Sequence, residues 1–251
     1  MLAVQRQEII QKAVQNEGSL SIQTLIDLLG VSRETVRRDI ASMADRGLIT
    51  KVHGGIVANA VGLEPAYGER AIAHAAEKAR IAEGARIEVM EGQTLYLDSG
   101  TTVVELVRLL PVGLKVQVFT NSLVIAEELV NKQIATYVLG GSLRAGELSL
   151  SGAFAQDMAR AVHVDRAYFG AGGLSLQYGV MDYHMEEAVL RRIIGEQAAE
   201  VVILADSSKY GMTGVVRVFE WQQVTEWITD DHLDPEIVEL LRANSVKVVR
   251  C

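Results

Sequence analysis

The sequence has almost no cysteine. Cys251, its last residue, is the only one among 251, so no disulfide can form within the chain. Five histidines (His53, His74, His163, His184, His232) are scattered, and none has a second His or Cys at ligand spacing. The pattern argues against a structural zinc site, and neither metal nor cofactor is expected. No stretch reaches the roughly 18–20 uninterrupted apolar residues of a membrane helix. The opening MLAVQRQEIIQKAVQNEG mixes charges and amides among its apolar residues, unlike the apolar core of a secretory signal. Internal repeats and low-complexity tracts are also missing. A reduced, cytoplasmic protein with no membrane partner is the expectation. Net basic charge is lacking too, since the chain carries −8, which at first sight disfavours nucleic acid.

What is present looks globular: 49% hydrophobic and 22% charged residues argue against disorder. The length suits one large α/β domain, or a small module plus a medium one. Charge distribution favours the second. Residues 1–58 hold seven basic side chains (Arg6, Lys12, Arg33, Arg37, Arg38, Arg46, Lys51) against six acidic ones, whereas the remainder holds seventeen against twenty-six. The expected division is a small domain over 1–58, a linker and connecting helix over 59–80, and a larger domain over 81–251.

In the first part, Ile9, Ile10, Ala13 and Val14 fall at helical spacing. Ser21 is placed to cap a second helix with Ile22, Leu25, Ile26 and Leu29 turned inward, and Gly30 to end it. Ser32 caps a third helix reaching about Arg46, so a helix-turn-helix is predicted. On that helix Val36, Ile40 and Met43 cluster on one face at about 100° per residue. Arg33, Thr35, Arg37, Arg38 and Ser42 lie away from that face, where Arg can pair with guanine and hydroxyls can meet bases or phosphate. The plain alternative is a solvated helix face. Two β-prone runs broken by Gly54-Gly55 follow, a wing whose Lys51 and His53 could touch phosphate.

Val31 to Gly55, VSRETVRRDIASMADRGLITKVHGG, resembles the DNA-binding module of DeoR-type bacterial transcriptional regulators. Val31, Ser32, Thr35, Arg37, Arg38, Asp39, Gly47, Leu48, His53, Gly54 and Gly55 match that pattern without a gap. Lys51 stands where Arg is usual, and Ile56 where Ala is.

Beyond a connector and a helix from about Glu69, short β-branched runs alternate with helical segments. Strands are expected at 94–98, 115–120, 136–139, 165–170, 200–205, 226–229 and 246–250. Continuous apolar strands alternating with helices predict an α/β domain, a doubly wound and mostly parallel sheet. Ligands of such sheets sit beyond the carboxyl ends of strands, where unusual residues collect here. Asp98, Ser99, Gly100, Thr101 and Thr102 open a helix whose amides favour an anion. Thr120, Asn121 and Ser122 follow the second strand, Gly141 and Arg144 the third, Gly172 the fourth, Asp206 and Lys209 the fifth. Each alone reads more readily as a cap or loop; together they suggest a pocket for a small hydroxylated anion.

DSGTT, TNS, GG with a following Arg, EE at Glu186-Glu187, DSSK and ITD recur in this order in the sensor domain of DeoR-type regulators. That sensor resembles the phosphosugar isomerase and deaminase fold. The resemblance implies that the Ser99–Thr102 loop and Lys209 hold a sugar phosphate. Glu187 joins the effector-binding set, and no residue is assigned to catalysis. Met181-Asp-Tyr-His-Met185 departs from the more common Thr- and Asn-bearing version. The implied protein is a repressor of a carbohydrate-use operon. It binds double-stranded operator DNA as a homo-oligomer, dimer or tetramer, under control of a phosphorylated sugar. The rival is an active sugar-phosphate isomerase or deaminase with an appended DNA-binding module, using Asp98, Glu187 or Asp206 as base.

Overall fold

A computed structural model describes residues 1–46, 48–52, 54–58 and 64–251. The chain begins with α1 (Ala3–Glu17), β1 (Ser19–Ser21), α2 (Ile22–Leu29), α3 (Arg33–Asp45), β2 (Ile49–Val52) and β3 (Gly55–Ala58). Ser21 and Ser32 cap α2 and α3, each hydroxyl accepting from the amide three residues on, at 3.0 Å from Thr24 and 3.2 Å from Thr35. Each cap stabilises its helix by about 1 kcal/mol. The stripe Val36, Ile40 and Met43 is buried against Ile10, Val14, Leu25 and Ile56. Beside the expected β2–β3 hairpin lies β1, antiparallel to β3; three residues are too few to show alternation in a sequence. A Cβ on Gly55 would stand 2.2 Å from the Leu20 carbonyl oxygen, so β1 approaches only because position 55 has no side chain.

The connecting helix differs from expectation. It is two helices, α4 (Tyr67–Ile72) and α5 (Ala75–Arg86), parted at Ala73–His74 with His74 at φ 53°. The left-handed residue ends one ladder and starts another. Near this break the Arg70 carbonyl accepts a hydrogen bond from Lys78 Nζ.

The large domain follows as β4 (Thr94–Leu97), α6 (Thr101–Leu109), β5 (Gln117–Thr120), α7 (Leu123–Asn131), β6 (Ala135–Val138), β7 (Ser142–Arg144), β8 (Ser149–Ser151) and α8 (Ala153–Arg160). It continues through β9 (Val164–Phe169), β10 (Gly173–Ser175), β11 (Gly179–Asp182), α9 (Met185–Gln197) and β12 (Ala198–Leu204). Last come β13 (Val216–Phe219), β14 (Glu226–Thr229), α10 (Pro235–Ala243) and β15 (Lys247–Arg250). Seven strands form one parallel sheet, ordered β15-β14-β12-β9-β4-β5-β6. They are the seven expected from sequence, with ends shifted by at most two residues. Both faces are covered, as strand alternation requires. Leu95, Leu97, Val202 and Leu204 pack with α5, α6 and α7 residues; Tyr96, Val201 and Ile203 pack with those of α8, α9 and α10.

From β4 the chain winds outward to β5 and β6; from β9 it winds the other way to β12, β14 and β15. The direction reverses between β4 and β9, and the loops leaving these two strands diverge there to open a crevice. The loops still touch at one point. A Cβ on Gly100 would come 3.1 Å from the Gly170 Cα, and one on Gly170 would come 3.3 Å from the Gly100 Cα.

Candidate functional site

The outer face of α3 is open. Ser32, Arg33, Arg37, Arg38 and Ser42 are solvent-accessible, as is Lys51 on β2, while Thr35 is half-buried. Ser32 and Thr35 hydroxyls lie 2.9 Å apart in the helix cap, so both groups serve to start the helix. Among the described residues, no ion pair engages Arg33, Arg37, Arg38 or Lys51, which leaves these cations available to phosphate. His53 and Gly47 lie outside the described residues. Asp39, in the middle of the RRD run, points inward. It is buried and receives Arg6 Nε at 2.7 Å and Nη2 at 3.1 Å, tying α1 to α3.

The crevice beside β4 and β9 holds a cavity of about 340 Å³, enough for a small phosphorylated ligand. Gly100, Thr101 and Thr102 at the start of α6, Gly172 after β9, and Asp206 and Lys209 after β12 all line it. Loops from three strands on either side of the reversal are thus brought together, and α6 aims its free amides at the space. Lys209 is half-buried, and among the described residues no hydrogen bond or ion pair holds its ammonium. Burial pushes its pKa below the ordinary lysine value, against the attraction of Asp206.

Sequence reading missed several cavity residues. Lys78 of α5 lines the space, with its pKa also lowered by burial. It stands three residues before Ile81 on the buried stripe of α5, and a cation inside an apolar stripe was the available signal. Arg191 sits likewise on the buried face of α9. Its guanidinium clasps Asp98, Nε to Oδ1 at 3.1 Å and Nη2 to Oδ2 at 3.0 Å, and reaches Asp182 through Nη1. Glu64, Arg70 and Tyr183 form the opposite wall. Arg46 and Ala44, from the end of α3, reach the same cavity.

Other expected residues are placed around the cavity rather than in its lining. Asp98 is fully buried behind it, held by Arg191 and near the Gly170 amide, 3.4 Å away; Ser99 is buried beside it. Thr120 donates to the Leu97 carbonyl at 2.7 Å, Asn121 accepts from Tyr96 Oη at 2.9 Å, and Ser122 caps α7. Gly141 passes so close to Ser151 that a Cβ would meet its carbonyl at 2.2 Å. Arg144 pairs with Glu64 at 2.7 Å and with Glu187 at 3.3 Å. Glu187 also accepts from Ser149 Oγ at 2.6 Å, and burial raises its pKa despite these partners. Asp206, which does line the cavity, accepts from the Ser208 amide at 3.1 Å and caps a short turn. Among the described residues, Asp230, Asp231 and His232 have spacing suited to a metal. Asp230, however, already accepts from the Ser207 and His232 amides at 2.6 and 2.9 Å.

Residues 6–61 match the DeoR-like helix-turn-helix domain, and residues 73–231 match the DeoR C terminal sensor domain. The chain is 33% identical over 250 residues to the HTH-type transcriptional regulator GlpR of Haloferax volcanii, covering 99% of this chain and 98% of that one. It is 26% identical to the glycerol-3-phosphate regulon repressor of Escherichia coli K12, covering all of both. Ribose 5-phosphate isomerase A of Methanocaldococcus jannaschii aligns over 53% of each chain with 20% identity and a TM-score of 0.40. Among the described residues no helix is long and apolar enough to cross a membrane.

Proposed function

The chain belongs to the DeoR family of transcriptional regulators, and we propose that it is a cytoplasmic repressor whose operator affinity is set by a phosphorylated sugar. The observation that carries this reading is Lys209: a half-buried cation without a partner among the described residues, in a cavity between the start of α6 and Lys78. Such a site attracts a compact dianion. Amides and hydroxyls of Gly100, Thr101 and Thr102 take the phosphate oxygens, the α6 dipole favours its charge, and Lys209 and Lys78 neutralise it. Asp206 and the Gly172 backbone face the rest of the cavity, where sugar hydroxyls would lie.

Ser32, Arg33, Thr35, Arg37, Arg38 and Ser42 at and along α3, with Lys51 on β2 and His53, which follows it in sequence, bind operator DNA in this reading. A first unit with net +1 attracts DNA weakly alone, so paired half-sites held by a homo-oligomer, dimer or tetramer, supply the remaining phosphate contacts. Carboxylate placement favours a regulator over an isomerase. Asp98 is clasped by Arg191, and Glu187 by Arg144 and Ser149, whereas a catalytic base must reach a substrate proton; Asp206, which lines the cavity, is the carboxylate that the turnover assay tests. The test is calorimetry across a panel of sugar phosphates, with turnover assayed on each binder. Binding without turnover is expected, and Lys209→Ala should abolish it. Absence of any binder, or turnover at enzymatic rates, would overturn the proposal.

A further inference from the structure

Cover on the Tyr96 face of the sheet stops short of its β6 end. Phe119 and Tyr137, cross-strand neighbours on β5 and β6, stack with ring centroids 4.9 Å apart, yet Phe119 is only half-buried and Tyr137 is exposed. Helix α8 lies beside them: the Gly140 amide, just past β6, donates to Met158 Sδ at 3.4 Å. This helix turns its small residues, Ala155 and Ala159, into the core and its large ones, Phe154 and Met158, into solvent, with Phe154 79% exposed. Four residues apart, these two side chains share one flank of α8. With Tyr137 they leave on the order of 300 Å² of apolar surface in water, a size that on a single chain often serves binding.

The strand beside them is equally bare. β6 ends the sheet, and among the described residues no strand pairs with its outer edge. Such edges are ordinarily guarded by charge or proline. The opposite edge is guarded, since β15 carries Lys247 and Arg250, but β6, Ala-Thr-Tyr-Val, has neither device. Charge identifies what covers this end. Asp157 and Arg160 of α8 pair with each other at 2.8 Å and are 75% and 56% exposed. A helix flank with one acid and one base a turn apart is complementary to itself. Across a two-fold axis between antiparallel α8 helices, Asp157 of each copy meets Arg160 of the other. The location also suits two copies. The DNA-binding unit docks on the segment after β12, where Gln11 donates to the Gly211 carbonyl and Met212 packs against that unit's core. β6 lies four places along the sheet from β12, so pairing at β6 leaves both DNA-binding units clear for two half-sites.

We infer that the Phe154–Met158 flank of α8 and the open face of β5 and β6 form the surface on which a second copy of this chain docks, about a two-fold axis. This rests on the homo-oligomer reading given above and names its surface. Phe154 is the apolar anchor, Met158 and Tyr137 surround it, and Asp157 and Arg160 form the polar rim.

Sedimentation velocity of the full-length protein over a concentration series reads the assembly. The parent should be a dimer or larger at micromolar concentration. Phe154→Glu with Met158→Glu, both at exposed positions, should raise the dimer Kd about 30-fold or more, the range for losing a central aromatic anchor, with the circular dichroism spectrum unchanged. Two charge variants add a readout that a role inside one chain would not move. Asp157→Arg gives a flank with two bases and Arg160→Asp one with two acids, so each alone should associate more weakly than the parent. Mixed in equal amounts, they should form the heterodimer in preference to either homodimer, as read by native mass spectrometry. A monomeric parent would overturn both the interface and the homo-oligomer reading. A parent oligomer that the two glutamates leave intact, or charge variants that mix at random, would overturn the interface alone. If the glutamate variant fails to fold, the mixing experiment decides.

Discussion

Replacing Arg191 with Met would test whether the floor of the cavity is built as described. Arg191 is the one cation between two carboxylates that have almost no access to water: Asp98 at 0% and Asp182 at 3% side-chain exposure. It joins the end of β4, the end of β11 and the buried face of α9. Met matches the length of the aliphatic stem, so the variant chiefly removes the charge and its hydrogen bonds. Breaking a buried pair costs roughly 3–5 kcal/mol, because the abandoned charge stays buried. For a domain of 150–250 residues, 1 kcal/mol moves Tm by about 2–4 °C, so Tm should fall by roughly 6–20 °C. Differential scanning calorimetry at neutral pH gives the value. The control is Asp98→Asn with Asp182→Asn in the Arg191→Met background, which should regain most of the loss, since a neutral trio leaves no uncompensated charge. A Tm within about 2 °C of the parent for Arg191→Met alone would refute the reasoning, because the cost is then below the buried-pair range.

Lys209→Met should raise the Tm of the ligand-free protein, since it removes a buried cation without a partner among the described residues; a lowered Tm would mean that the ammonium has a stabilising role within the fold. Phosphate affinity should fall as pH rises towards the ordinary lysine value of 10.5, and should begin to fall below it. The sign follows from burial, which lowers the Lys209 pKa, and from the anion, which binds the protonated form; affinity flat across this range by calorimetry would contradict it. Arg37→Ala with Arg38→Ala should weaken operator binding by about 1–3 kcal/mol for each of the two arginines that reads a base, and unchanged affinity in a mobility-shift titration would exclude both from the interface.

The parallel sheet was legible because each strand buried on both faces is a continuous apolar run, and VVIL at 201–204 needs no partner to be recognised. Smaller elements were not. The antiparallel sheet of β10, β11 and β13 uses strands of three or four residues, too short for a periodic signal. Helix α8 buries only Ala155 and Ala159 and exposes Phe154 and Met158, so its hydrophobic pattern points the wrong way. For the cavity, glycines, hydroxyls and Lys209 at strand ends stood out in the sequence because their local chemistry is unusual. Lys78 and Arg191 offered only the signal of a cation inside an apolar stripe, and Arg46 offered none, because a charge at a helix end looks the same whether it faces water or a cavity. Arg144 and Glu187 looked like ligand residues for the converse reason: their pairing with each other and with Glu64 joins positions far apart in sequence.

The central claim is that an anion held at Lys209 controls operator binding by the other unit. The direct measurement is operator affinity, titrated on the protein's own upstream DNA with and without a saturating sugar phosphate taken from the binding panel, for the parent and for Lys209→Ala. The parent should change affinity about 5–150-fold on adding ligand, the span of a coupling free energy of 1–3 kcal/mol. Lys209→Ala should bind operator as the ligand-free parent does and not respond. A parent whose operator affinity is the same with the cavity filled, or a Lys209→Ala variant that responds as the parent does, would contradict the account.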